Sequence, residues 1–464
     1  MNLDRRRLLA IAASASAAAT PALAATAPAA ATANTSGVSF PLSALGVDAA
    51  HLGVHTGSSD DQTKALQRAI DQAAGARVPL ALAPGVYRAA NLKLQTGTQL
   101  IGVRGATRLL LTDGPSLMAA SFADRISLTG LVLDGAGRPL PESRGLVHLA
   151  AGRGIRITDC EITAAGRQGV VLDNIEGEVR GTTITAAAAA GLFSLNARGL
   201  VISGNTIRGC GNNGIQIWRN EPGDDGSLVL ANRIEDIAAR GGGSGQNGNA
   251  INVFRAANVV VSDNRISGAA FSAVRGNAAS NLQVTGNNCT GCGEVALYAE
   301  FGFEGAIIAH NMIDGAAIGV AVTNFNHGGR LAVVQGNVIR NLLLKRPAGT
   351  DPNDGAGIGI AVEADTAVTG NVIENAPTAG ISVGWGRHLR DVTVTGNVVR
   401  RAGVGIAVSV SPGAGAAVIA DNLIADAQRG AIVGMEQKKP VTGDLAKDGP
   451  GRFAQLAISG NRVR

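Results

Sequence analysis

The feature that most constrains this chain is a repeat. A short β-branched strand, a Gly/Asp-Asn-x-apolar turn, a gap and a Gly-Ile-x-apolar strand recur every 23 to 34 residues or so. Clear copies are LVISGNTI with GIQI, VVVSDNRI with AINV, AIIAHNMI with GVAV and AVVQGNVI with GIAV. AVTGNVI with GISV, VTVTGNVV with GIAV and AVIADNLI with AIVG follow, and the sequence closes on the half-copy LAISGNRV. Degenerate copies, IRITDCEI with GVVL and VRGTTITA with GLFS, lie upstream.

Each unit holds about three strands of period 2 separated by Gly/Asn turns. One unit cannot bury its own apolar face, whereas stacked units share a continuous core. The turn asparagines align as Asn205, Asn232, Asn264, Asn287, Asn311, Asn337, Asn371, Asn397, Asn422 and Asn461. An inward amide at one turn of every coil satisfies its donors and acceptors on the coils above and below, so these ten are assigned a structural role. With 64 Gly, abundant Ala and only 3% aromatic residues, the coil is narrow and tightly stacked. The expected fold is all-β: a single-stranded right-handed parallel β-helix of about a dozen coils, spanning 119–464.

Ahead of the repeats, DDQTKALQRAIDQAAGA (60–76) has Ala65, Leu66, Ala69, Ile70 and Ala73 at helical spacing behind two acidic residues. Strands broken at Pro84-Gly85 and Thr96-Gly97 follow, so 59–118 is expected to hold a capping α-helix and the first coils. Asp-Asp-x-x-x-Ala-Leu-x-x-Ala-Ile, then Pro-Gly-x-Tyr, then Gln-Leu-Ile-Gly resembles the N-terminal cap of the pectate-lyase-like β-helix superfamily (the pectin lyase fold).

Residues 1–24 have the form of a secretory signal: Arg5-Arg6-Arg7, a soft alanine-rich apolar run, and Ala22-Leu23-Ala24 as a cleavage site. The paired arginines resemble a twin-arginine (Tat) signal. Residues 25–58 read as a leader and N-terminal extension. With the repeats, the chain is similar to the Tat-translocated repetitive protein family, a resemblance that carries a fold and no assigned activity. It implies transport by the Tat translocase and a periplasmic or secreted protein, not membrane-embedded once the signal is cleaved. Outside the signal, no stretch approaches the ~18 consecutive apolar residues a spanning helix needs.

The net charge of +5 includes the signal's three Arg and one Asp, leaving the mature chain near +3. Without a basic block or basic amphipathic helix, nucleic acid is not an expected partner. Four cysteines, with Cys289 and Cys292 as the only close pair, do not complete a four-thiolate metal site. They are expected to be buried thiols, with a local Cys289–Cys292 disulfide as the alternative. No metal site or cofactor is expected.

By the resemblance, the Gly-Ile-x-apolar strands line a substrate groove. Period 2 turns Ile215 and Ile217 inward and Gln216 and Trp218 outward. Matching each strand by its distance to the next turn Asn sets Trp218, Phe254, Asn277, Tyr298, Thr323, Glu363, Gly384 and Ser409 in one outward column. Gln216, Asn252, Arg275, Ala296, Ala321, Ala361, Ser382 and Ala407 form the other. Arg219, Arg255, Glu300, Asn324 and Trp385 fall just beyond the strands. Both Trp residues, and the one Tyr outside Pro-Gly-x-Tyr, thus share one strand class in a chain poor in aromatics. Rings beside Arg, Asn and Glu suit a polysaccharide or glycan. Expected binding residues are Gln216, Trp218, Arg219, Asn252, Phe254, Arg255, Asn277, Asn324, His327 and Trp385. Insertions at 238–249 and 342–357 precede this face, and 220–226, 300–305 and 324–330 follow it, walling a cleft over the middle coils.

Candidate catalytic residues are Arg275, Tyr298, Glu300 and Glu363. Glu300 and Glu363, two coils apart and so about 10 Å distant, approach the spacing of an inverting glycosidase pair. A lyase or epimerase would instead use Tyr298 or His327 as base and Arg275 to neutralise a uronate carboxylate. The polygalacturonase set Asn-Thr-Asp, Gly-His-Gly and Arg-Ile-Lys is absent, as are the Asp-Pro-His of β-helix mannuronate epimerases and the pectate-lyase calcium cluster. DPND (351–354) and GDD (223–225) read as turn acids. The competing class is a noncatalytic carbohydrate-binding or envelope scaffold.

Overall fold

The computed structural model describes residues 45–323, 325–351 and 354–464. The signal and the start of the leader, and the candidate Asn324, lie outside the described residues.

The repeats wind into a parallel β-helix of about fourteen coils, two more than the dozen expected. Each coil has three strands. A leading strand such as Val201–Ser203 runs into the turn asparagine, a short strand such as Thr206–Arg208 follows it, and a face strand such as Asn213–Asp224 closes the coil. The three strands of each coil pair in parallel with their equivalents one coil away: Val201 with Leu228, Thr206 with Arg233, Ile215 with Ile251. Ile215, Ile217, Ile251 and Val253 are fully buried in the common core, as period 2 requires. Each is worth about 1.5–3 kcal/mol of burial, and no coil gains that alone.

The glycine that opens the face strands is there for clearance. A Cβ on Gly319 would lie 2.6 Å from the Gly359 carbonyl oxygen and 2.5 Å from a methyl of Ile339, so only glycine lets the coil turn this tightly.

The ten turn asparagines are buried, apart from the terminal Asn461, and form one continuous ladder. The Asn287 side-chain amide donates to Asn311 Oδ1 and to the Val261 carbonyl, both at 3.0 Å, and its backbone N–H donates to the same Oδ1 at 2.9 Å. The pattern continues from Asn205 to Asn461.

Both ends of the core are covered. The helix Thr63–Ala76 buries Leu66, Ala69, Ile70, Ala73 and Ala74, the side expected from its spacing. Asp61 Oδ1 accepts from the Thr63 N–H, so one of the two acids satisfies the first N–H of the helix from just ahead of its cap residue Gln62. At the other end an antiparallel pairing folds Lys439–Asp444 back on Ile432–Glu436. Leu445, opening the short helix Leu445–Asp448, is buried there.

All four cysteines are buried and unbonded, as thiols. Burial pushes Cys160 up to about 11 and Cys210 and Cys292 up to about 12. No helix among the described residues is long and apolar enough to cross a membrane.

Candidate functional site

The backbone ladders fix which outward side chains are neighbours. One column runs Gln216, Asn252, Arg275, Tyr298, Ala321, Ala361, Ser382, Ala407. The other runs Trp218, Phe254, Asn277, Glu300 and continues past Thr323 and Glu363. This corrects the register expected for one strand. Tyr298 stands in line with Arg275, Glu300 takes the place in line with Asn277, and Ala296 is buried in the core. The distance to the next turn Asn includes the loop after the face, and that loop varies in length from coil to coil. The inward apolar residues Leu297 and Ala299 are what set the register.

Arg275, Tyr298 and Glu300 do converge, but two of them are committed to each other. Arg275 Nε and Nη2 donate to the two Glu300 oxygens at 2.6 and 2.8 Å, a bidentate pair. Arg275 Nη1 reaches Glu294 at 3.1 Å, and Asn277 donates to Glu300 Oε1 at 2.9 Å. The guanidinium lies 4.9 Å over the Tyr298 ring. Arg275, Glu294 and Glu300 are all buried. Burial weakens the charged form of Arg275, but the Glu300 carboxylate outweighs it and raises its affinity for the proton further. An arginine so engaged has no charge to spare for a substrate carboxylate, and Glu300 has no free oxygen edge.

Arg346, from the insertion 342–357, completes this network. Its Nη2 donates to Glu294 at 2.6 Å and to Asp354 at 3.1 Å, and its Nη1 to the Gly355 carbonyl at 3.1 Å. The insertion is thereby pinned at the front of the face. It forms one wall of a cleft of about 380 Å³, through Arg346, Asp351, Asp354 and Gly355. Tyr298, Ile318, Ala321, Ile358, Ala361 and Ser382 make the floor, and Thr323, Glu363 and Trp385 the opposite wall. Val295, Ile318 and Ala321 pack under it with Tyr298, Ile358 and Ala361 as an apolar patch on the outside of the coil.

Asp354 and Glu363 flank the two ends of the strand Ile358–Val362. Burial pushes the Asp354 carboxyl above its ordinary value, against the pull of Arg346. Burial also raises Tyr298, helped by Glu300, which takes its phenol out of reach as a base at neutral pH. Glu363 Oε2 accepts from the Phe325 N–H at 2.6 Å, tying it to the turn Phe325–His327. His327 sits edge-on to Phe301, with ring centroids 5.3 Å apart, and does not line the cleft. Trp385 is 40% exposed.

The remaining binding candidates form a second cluster, on the coils before the cleft. Trp218 packs edge-on between Phe193 and Phe254, at 5.5 and 5.6 Å. Its indole N–H donates to Asn252 Oδ1 at 2.6 Å, and Asn252 donates to the Gly245 carbonyl of the other insertion. Arg255 lies 4.8 Å over Phe254. Gln216 is buried in line with Asn252. Arg219 turns away toward the leading sheet, where its Nη1 donates to the Ala197 carbonyl at 3.4 Å.

Arg346 and Glu294 escaped the sequence reading, and Asp351 and Asp354, read there as turn acids, line the cleft instead. The available signal was an insertion bearing one Arg and two Asp directly before a face strand. Among the described residues no group of three or more His, Cys, Asp or Glu could hold a metal ion.

A model of the right-handed β-helix region matches residues 144–241 and 223–399, more than half the chain, which therefore belongs to that family. Curated protein sequences give no significant match. Among solved structures, the chain is similar to the N-terminal fragment of bacteriophage phi29 gene product 12, with 15% identity, a TM-score of 0.55, and 85% of this chain and 69% of that one covered. The pre-mature form of that protein aligns at 13% identity and a TM-score of 0.54, over 83% and 69%. The A-module of the Azotobacter vinelandii mannuronan C-5 epimerase AlgE4 aligns at 16% identity and a TM-score of 0.45, over 89% and 100%. At these identities the phage likenesses establish the fold alone.

Proposed function

We propose that the protein is an exported glycoside hydrolase acting on a neutral polysaccharide laid along the face. The observation that carries this is the cleft whose opposite walls hold Asp354 and Glu363, over a floor with Tyr298 and beside the exposed Trp385. Asp351 and Glu363 against the single cation Arg346 make the lining acidic. An anionic uronate polymer would be repelled, and Arg275, which a lyase or epimerase would need, is neutralised by Glu300 and Glu294.

Asp354, whose affinity for its proton burial raises, serves as general acid and gives a proton to the glycosidic oxygen as the C1–O bond breaks. Glu363 takes a proton from the water whose oxygen bonds to C1, the division of roles of an inverting enzyme. Trp385 stacks on a sugar ring.

Reducing-end release from galactomannan, xylan and glycogen tests this. Wild type should release ends from one of these and none from polygalacturonate. Asp354→Asn and Glu363→Gln should each lower the rate 10²-fold or more, in the range general acid–base catalysis supplies. Retention of a polymer without cleavage by the wild type would leave a binding protein instead. Export rests on the signal: Arg5→Lys, Arg6→Lys and Arg7→Lys together should hold the precursor in the cytoplasm, and normal export of that variant would contradict the Tat route.

A further inference from the structure

A second concavity, of about 550 Å³, lies on the early coils, along the continuation of the Trp218 column. Asp173 pairs with Leu195 and Leu195 with Trp218, so Asp173 stands in the row that later carries Glu300. Its lining includes Phe122, Asp173, Asn174, Asn196, Arg198 and Arg219. A smaller recess of about 300 Å³ shares Phe122, Ala151, Asn174 and Arg198, so these four lie between two hollows.

Phe122 is out of character for its position. The residue ending the face strand is left-handed in four successive coils: Phe122 at φ 54°, Ala151 at 52°, Asn174 at 55° and Asn196 at 52°. Asparagine tolerates that conformation and alanine is small, but a bulky aromatic there is an outlier. Its ring is also 88% exposed, so it buys no core packing in return. The polar groups around it have capacity to spare. Arg198 makes no ion pair among the described residues. Asn196 uses its oxygen on the Asn220 N–H and leaves its amide free, and the Arg219 Nε is buried without a partner.

We propose that this concavity is an anchoring subsite for a glycan, with one sugar ring stacked on Phe122 and its hydroxyls held by Asp173, Asn174 and Arg198. A free aromatic face beside carboxylate, amide and guanidinium groups is the chemistry that recognises a pyranose. The inference rests on the reading of this face as a glycan surface and adds a second point of attachment to it. Seven coil spacings separate Asp173 from Glu363, roughly 34 Å at ~4.8 Å per coil, so only a long chain reaches both. Joining two weak sites through one polymer raises affinity without any new contact.

Titration of the full mature protein with oligosaccharides of four and ten residues, prepared from galactomannan, xylan and glycogen, tests this. For the polymer that binds, wild type should hold the ten-residue fragment about tenfold or more tighter than the four-residue one. Phe122→Ala and Arg198→Ala, both at exposed side chains, should erase that advantage and leave four-residue binding at the cleft intact. Unchanged decamer binding in both variants, with binding lost in Trp385→Ala, would overturn the anchoring subsite and keep the cleft. Failure of the wild type to bind any of these fragments would overturn the glycan reading itself.

Discussion

Arg275 shows how little the type of a residue says about its role until its partners are known. Its outward position was legible from period 2, and its nearness to Tyr298 and Glu300 followed from coil stacking. That its charge is consumed by two buried carboxylates was not legible, because Glu294 and Arg346 lie 52 residues apart and meet only when the insertion folds back. Arg275→Met should leave Glu294 and Glu300 buried with too little compensation, and cost about 3–5 kcal/mol in urea unfolding. A cost below 1 kcal/mol would mean that the network is not closed as described. Asp354 makes the converse case: two acids in the turn 351–354 looked like loop chemistry, and both line the cleft. Its raised carboxyl keeps its proton above the ordinary aspartate range. Hydrolysis should therefore persist to a pH above 3.8 and fall as the pH rises through the raised value, giving an alkaline limb in kcat that Asp354→Asn removes. Asp365 shifts the other way, held below 3.8 first by its hydrogen bond from Arg390. The stability this pair contributes is complete above that unfolded value and lost as the pH falls through the lower folded one. The pair is partly exposed, so the loss should be under about 1 kcal/mol, read as a shallower acid limb in Asp365→Asn.

Strands and turns were the most legible part of the molecule, because each repeat states the same pattern in the same order. The asparagine ladder could be written down from alignment alone, and all ten members take part. Asn311→Ala removes donors to Asn337 and the Val284 carbonyl and the acceptor for Asn287. It should cost about 2–3 kcal/mol, while Asn461→Ala, at the partly exposed end of the ladder, should cost about 1. Equal costs in thermal unfolding would argue against a buried ladder. The misplaced strand Val295–Glu300 marks the limit of such reading. A repeat determines which residues face in, but the neighbour across the coil depends on loop length, and loops are where these repeats differ.

At the scale of the whole molecule the stack needs its two ends closed. Ile70→Asp in the cap helix should expose the apolar end of the coil, and light scattering should then report oligomers where the wild type is uniform. The thiols answer to the same global fold: all four should resist Ellman's reagent in the native protein and react together on unfolding. The central claim is that one of three long surfaces is a glycan-binding face, and hydrogen exchange with and without bound polysaccharide measures that most directly. Using the polymer that the wild type retains, protection should rise in the insertion 342–357, in the turn 384–389 and along the face strands between Val295 and Val383. The short strands on the other side should not change. Protection confined to the short or leading strands, with the cleft segments unaltered, would contradict the account.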